Sequence, residues 1–311
     1  MNISSELRNS LKLDLATKYD NEITNYSPHE YINLLEKPLI DEFNSTQYNQ
    51  ENSTEIYRNF LNWLFLTFKE NEVSFRIKCL ERLGDINGQK ILLVGCGLGE
   101  DVAAALSLVN ETGVVHAQDL SETFIKLAAT KNLYADNVVF SVSNALSLPY
   151  RDDYFDAVYH FGGINLFGDT KRAISEFNRV CKVGGSVTFG DESLAMHLRS
   201  TDYGKMFMQN NPLWREYAPL KHLPLNAINI KLEYILGNCF YLISFKKNEG
   251  LPEVNIDVPH KGLRGGTIRK RFFGQVESID PLIKEKLYHK AKRQNNSVSD
   301  ILEKLVRNYL D

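Results

Sequence analysis

Cysteine is scarce and scattered in this chain. Its four cysteines, Cys79, Cys96, Cys181 and Cys239, form no C-x-x-C pair and have no paired histidines nearby, which argues for a reducing cytosol and against a zinc site. We expect no bound metal. Long hydrophobic runs are missing as well: the longest, such as residues 60–68, fall well short of the roughly 20 apolar residues a membrane span requires. The first residues show no basic-then-apolar signal pattern. The expectation is a soluble, cytoplasmic protein that neither crosses a membrane nor is secreted. Charge of one sign is also lacking, with a net charge of −3 over 311 residues. That balance hides an asymmetry, because residues 261–311 carry 12 Lys and Arg against 6 Asp and Glu, leaving −9 on the rest.

What the chain does contain is clearest at residues 91–106, an apolar run that passes through Gly95, Gly97 and Gly99 into a helical stretch. Alternating glycines let a backbone turn sharply and approach a ligand closely, and the helix that follows offers unpaired N–H groups. The spacing is G-x-G-x-G. Where a dinucleotide fingerprint places its third glycine stands Glu100, whose carboxylate would repel a pyrophosphate. A zwitterionic ligand without phosphate fits better.

From Gln89 onward apolar strands alternate with helical stretches, at 90–94, 114–118, 137–142, 155–161 and 185–190. This alternation predicts βαβ units and a parallel sheet covered on both faces. Two further strands, 228–236 and 239–245, are separated by Gly237-Asn238, a tight-hairpin signal. Upstream, Ser27-Pro28-His29-Glu30 reads as a helix start, with a cap, a first-turn proline and a capping-box glutamate. Residues 55–83 read as two amphipathic helices rich in aromatics, either plain packing helices or a lid in which Tyr57, Phe60 and Trp63 cover a pocket. Between Glu192 and Asn226 an insertion holding Trp214 is long enough to be a lid or a wall.

These residues resemble the class I S-adenosylmethionine-dependent methyltransferases, in a subgroup similar to the ubiquinone and menaquinone C-methyltransferases, over roughly residues 55–246. The resemblance implies an α/β, Rossmann-like, seven-stranded sheet ending in an antiparallel hairpin, with N-terminal helices and a small C-terminal strand-helix-helix module. Its domains would run 1–54, 55–250 with a lid insertion at 192–227, and 251–311. Gly95, Cys96, Gly97 and Gly99 look like the turn that contacts the methionine part of the cofactor. Asp119, followed by Leu120, matches the acid that binds the ribose hydroxyls, although a helix N-cap is an alternative reading of it. Asn144 and Ala145, with Leu148-Pro149-Tyr150, resemble the adenine-binding segment. The sequence departs from the pattern at Leu93, where an acid is usual, and at Asn144, where Asp is common.

The fourth strand of the series runs into Tyr159-His160-Phe161-Gly162-Gly163-Ile164-Asn165, and ligands of doubly wound folds lie at the carboxyl ends of the strands. His160 is a candidate general base or a cofactor contact through its backbone. Asn165 is a candidate orienting group, and Asp191 with Glu192 is a candidate to hold or deprotonate an amine or hydroxyl, with a solvated pair at a strand end as the alternative reading. The expected reaction is transfer of a methyl group from S-adenosylmethionine to a small-molecule acceptor by in-line displacement.

Residues 271–310 resemble a ribbon-helix-helix segment, with Arg271, Phe273 and Gln275 alternating outward on a strand and helices beginning at Asp280-Pro281 and at Ser297 or Ser299. The resemblance implies a homodimer. A DNA-binding regulator that senses the cofactor or a metabolite is the alternative reading of the chain, with DNA binding not favoured over a dimerisation or lid role. A nicotinamide-dependent oxidoreductase conflicts with Glu100 and with the terminal hairpin.

Overall fold

The structure, a computed structural model, describes residues 31–35, 52–131, 135–273 and 280–311. The chain divides into two compact units, residues 1–252 and 253–311.

The first unit is built on a sheet. β1 (Tyr31–Asn33), β2 (Lys90–Val94), β3 (Val114–Asp119), β4 (Val138–Val142), β5 (Phe155–Phe161), β6 (Cys181–Glu192), β7 (Ala227–Ile235) and β8 (Phe240–Lys247) lie in the order β1-β4-β3-β2-β5-β6-β8-β7. The pairs from β1 through β6 are parallel, whereas β8 runs antiparallel to both β6 and β7. Eight strands stand where seven were expected. The extra one is β1, which joins the β4 edge with Tyr31 opposite Phe140, and the Tyr31 hydroxyl donates to Glu122. The helix start at 27–30 lies outside the described residues, but the residues that follow it form this strand, not a helix.

The strands read as continuous apolar runs because both faces are covered. Successive side chains point to opposite faces. Ile91 and Leu93 therefore enter the core beneath α1 (Ser53–Phe68), α2 (Glu72–Leu80), α3 (Glu100–Val109) and α4 (Glu122–Lys131), whereas Leu92 and Val94 enter the core beneath α5 (Thr170–Val180). The β7–β8 hairpin turns at Gly237 and Asn238, both at positive φ, and the Cys239 N–H donates to the Leu236 carbonyl at 3.0 Å. That geometry is what two central residues of positive φ produce. The insertion between β6 and β7 holds α6 (Asp202–Asn210) and short 3-10 turns, one of which carries the fully buried Trp214.

The second unit contains α7 (Ile268–Phe273), α8 (Pro281–Arg293) and α9 (Val298–Leu310). Asp280 caps α8, accepting from the Leu282 and Ile283 N–H groups, and Ser297 caps α9, accepting from Asp300 N–H. Among the described residues, Arg271 and Phe273, expected on a ribbon strand, lie in a helix. Residues 268–273 are helical because the Thr267 hydroxyl accepts from Lys270 N–H at 3.0 Å and the Thr267 carbonyl accepts from Arg271 N–H at 2.9 Å, a helix start. Ion pairs Arg269–Asp257 and Lys270–Glu303 hold it. Gln275 lies outside the described residues. Among the described residues no helix is long and apolar enough to cross a membrane, and no group of three His, Cys, Asp or Glu side chains is placed to hold a metal ion.

Candidate active site

Strand order reverses between β2 and β5, since β3 and β4 lie to one side of β2 and β5 and β6 to the other. A crevice opens at the carboxyl ends of the strands at such a switch point. Here it is a cleft of about 100 Å³ lined by Gly95, Gly97, Gln118, Asp119, Leu120, Asn144 and Ala145, with Tyr57, Phe124, Leu166 and Phe167 supplying apolar walls and the Gly162-Gly163 turn supplying backbone.

The glycine turn is forced by backbone geometry. Gly95 and Gly97 have φ of +64° and +54°, a region that L side chains seldom adopt. A Cβ on Gly97 would stand 3.0 Å from the Tyr57 hydroxyl, and one on Gly95 would stand 3.3 Å from the His160 ring. Asp119, at the end of β3, closes the cleft beside this turn. Its Oδ2 accepts from Gly97 N–H and its Oδ1 from Ser121 N–H, both at 2.9 Å. Burial pushes the carboxyl up from the usual aspartate value, and the N–H groups of Ser121, Gly97 and Leu120 oppose that shift. Asp119 is among the residues that line the cleft, and an ionised carboxylate acts only as an acceptor. The N-cap of α4 is instead Ser121, whose Oγ accepts from Phe124 N–H at 3.2 Å. Asn144, which lines the cleft, folds into its own turn, its Oδ1 accepting from Leu146 N–H at 2.8 Å.

Several expected residues act elsewhere. Cys96 and Gly99 do not line the cleft. Cys96 is 4% exposed and Gly99 is the left-handed N-cap of α3, so both shape the turn from behind. Glu100 is also outside it, its carboxylate paired with Lys131 at 2.8 Å. The Lys131 ammonium thus offsets the repulsion expected of Glu100. His160 is fully buried. Its Nδ1–H donates to the Val94 carbonyl at 2.8 Å, its ring packs on Phe167 and Phe177, and its Nε2 has no partner. Burial lowers its pKa, so the ring is neutral. The ring faces neither cavity. Asn165 and Asp191 are joined to one another, since Asn165 N–H donates to Asp191 Oδ2 at 2.7 Å and Asn165 Nδ2 donates to the Glu192 carbonyl at 2.9 Å. Asp191 is fully buried, and the pair locks the turn after β5 onto the end of β6.

A second cavity of about 390 Å³ adjoins the cleft across Tyr57, Gly162, Gly163 and Leu166, which line both. Its walls are Ile56, Phe60, Leu61, Leu64, Phe65, Phe75, Phe161, Leu213 and Phe240, with Arg76 and Glu192 among them. Trp63, expected beside Tyr57 and Phe60, is not in this lining; it is 41% exposed and packs on Phe60 and Trp214. Arg76 is bound by Asp101 at 2.8 Å and Glu72 at 2.7 Å. Sequence reasoning missed this buried pair, and also Phe124. A residue three positions after the Ser121 cap was the available sign of Phe124.

The fold is a Rossmann-like α/β sheet, and residues 92–189 match the family model described as a methyltransferase domain. Among curated proteins the chain is 31% identical over 147 residues to the demethylmenaquinone methyltransferase of Staphylococcus aureus (strain MRSA252), covering 45% of this chain and 61% of that protein. The chain thus spans about three-fifths of the length of the curated relatives it matches. Among solved structures it superposes on Haemonchus contortus phosphoethanolamine N-methyltransferase 2 in complex with S-adenosyl-L-methionine, with TM-score 0.52, 15% identity, and coverage of 66% of this chain and 60% of that one.

Proposed function

We propose that the chain transfers a methyl group from S-adenosylmethionine to a small-molecule acceptor. The observation that carries this reading is the junction of a polar cleft with an apolar cavity across Tyr57 and the Gly162-Gly163 turn. When bound, the cofactor supplies a methyl group already activated by its sulfonium. The residues of the cleft fit it. Asp119 supplies a carboxylate acceptor for ribose hydroxyls, Asn144 has donors for an adenine ring nitrogen, and the backbone at Gly95 and Gly97 admits close approach. The buried Leu93 leaves the methionine amino group to backbone carbonyls.

In this reading the protein's main task is alignment. Holding two reactants in line contributes on the order of 7 to 11 kcal/mol of barrier reduction. Tyr57 and Leu166 stand at the opening between the chambers, where they exclude water and set the line of approach. The apolar cavity admits an acceptor with a substantial apolar body.

Calorimetric titration of the whole chain with S-adenosylmethionine, and separately with NAD, tests this. The expected result is saturable binding of the methyl donor, none of NAD, and loss of donor binding in Asp119→Ala. Equal or tighter binding of NAD, or an Asp119→Ala variant that binds the donor as well as the parent does, would overturn it.

A further inference from the structure

The acceptor cavity is apolar except at a few points, and Glu192 is the carboxylate in its lining. Its residue is 7% exposed, at the last position of β6, opposite Phe240 on β8. Strand parity sends Phe189 and Asp191 to the side of α5, and sends Glu192 to the side of α1 and α2, into the cavity. The cation in the same wall is already bound, because Arg76 is held by Glu72 and Asp101. The groups acting on Glu192 are the Asp191 carboxyl, through its charge and a side-chain hydrogen bond, and its own backbone N–H, with no cation among them. A carboxyl in this position needs a hydrogen-bonding partner to be charged without large cost.

Resting on the methyltransferase reading, we propose that Glu192 receives the polar group of the methyl acceptor, so that the acceptor is a molecule with an apolar, ring-sized body and one N–H or O–H group that Glu192 binds and deprotonates. The acceptor nitrogen or oxygen gives its lone pair to the methyl carbon. The carbon–sulfur bond breaks and leaves its electron pair on sulfur as a neutral thioether, while the acceptor proton passes to the Glu192 carboxylate and then to solvent. The Gly162-Gly163 turn, which lines both chambers, brings the held group to the donor opening. Burial, with the negative charge of Asp191 beside it, pushes the Glu192 carboxyl above the usual glutamate value, and a raised pKa makes the ionised carboxylate a stronger base. The charged and titratable groups around Glu192 are Asp191 on its own strand and Tyr241 on β8, while Tyr57, Arg76 and Asn211 line the same cavity and Asn165 donates to the Glu192 backbone carbonyl.

The test uses the whole chain, saturated with S-adenosylmethionine, and three probes of one skeleton: 2-naphthol, 2-naphthylamine and 2-methoxynaphthalene. In the parent protein the two donors of a hydrogen bond should bind at least tenfold more tightly than the ether. Glu192→Gln keeps a hydrogen-bond acceptor but no base, so it should retain naphthol affinity within about threefold. It should lose any methyl transfer by a hundredfold or more and abolish the rise of that transfer with pH. Glu192→Leu should lose the preference for naphthol over the ether. Should no probe be methylated, the binding preference and its loss in Glu192→Leu decide. Equal binding of ether and naphthol by the parent, or undiminished transfer by Glu192→Gln, overturns the inference. Donor binding, read separately by calorimetry, should be the same in all three proteins. A parent chain that binds no S-adenosylmethionine would overturn the underlying methyltransferase reading instead.

Discussion

The two chambers at the end of the sheet are built by different means. The cleft is a backbone device: its defining groups are the N–H and Cα atoms of a glycine turn, a carboxylate held by amides, and an asparagine folded on its own turn. The adjoining cavity is a side-chain device, with aromatic and aliphatic groups drawn from α1, α2, β5, β8 and the insertion after β6. Backbone geometry recognises parts that every donor molecule shares. Side chains that line a cavity can be exchanged without rebuilding the sheet, so under the proposed function the second chamber would set acceptor selectivity.

The largest expected effect breaks both chambers together. Arg76 reaches the cavity wall and pairs with Asp101 in the first turn of α3, the helix that begins at the glycine turn. Replacing it by Met leaves Asp101 buried and unpaired, a change that costs about 3–5 kcal/mol. Urea unfolding should show that loss, and Arg76→Met combined with Asp101→Leu should recover most of it. A single variant that loses under 1 kcal/mol would mean that the pair does not hold the two regions together.

A smaller change should affect one chamber only. Leu213→Trp fills the cavity from the side of the insertion, and overpacking of this kind costs about 2 kcal/mol, roughly thirtyfold in acceptor binding. Donor affinity should stay within twofold, and equal losses for donor and acceptor would contradict the division. The converse probe is Gly97→Ala, which places a Cβ at φ +54° and 3.0 Å from the Tyr57 hydroxyl. The left-handed strain costs about 1–2 kcal/mol, so donor affinity should fall about tenfold while probe binding in the cavity holds.

The same contrast decides what could be read in the sequence. The cleft comes from contiguous stretches, and Gly95, Gly97, Asp119, Leu120, Asn144 and Ala145 all line it. The cavity comes from side chains that meet only after folding, so its volume and the Arg76–Asp101 pair left no local pattern. His160 was an available inference that went the other way. Alternation along β5 puts Val158 and His160 on the face of α5, and Tyr159 and Phe161 on the opposite face, so Phe161, not His160, enters the cavity. Periodicity located the core strands because four or more apolar residues in a row leave little choice. It failed for the three-residue β1, which depends on the β4 edge and a tyrosine hydrogen bond, and at 268–273, where a threonine cap decided against the alternation of Arg271 and Phe273.

Beneath the cleft, β3 carries one more buried polar group, and it supplies the mildest test. His116 is 2% exposed, ringed edge-on by Tyr150, Tyr154 and Phe155, and its Nδ1 has no hydrogen-bond partner. Burial, with Lys90 nearby, lowers its pKa from 6.5 to about 3. A histidine depressed in the folded state binds fewer protons folded than unfolded between those two values, so the stability it preserves is present above pH 6.5 and is lost as pH falls toward 3. Linkage gives a loss of about 1 kcal/mol between pH 7 and pH 5.5. His116→Phe keeps the ring and removes the titration, so its urea midpoint should change less over that interval by the corresponding amount. Asp119 ends the same strand, but its amide-held carboxylate belongs to the cleft, and donor affinity measured at pH 7 should be the same in His116→Phe as in the parent. Donor binding that fell with the substitution would show that the packing beneath β3, and not the backbone turn alone, sets the shape of the cleft.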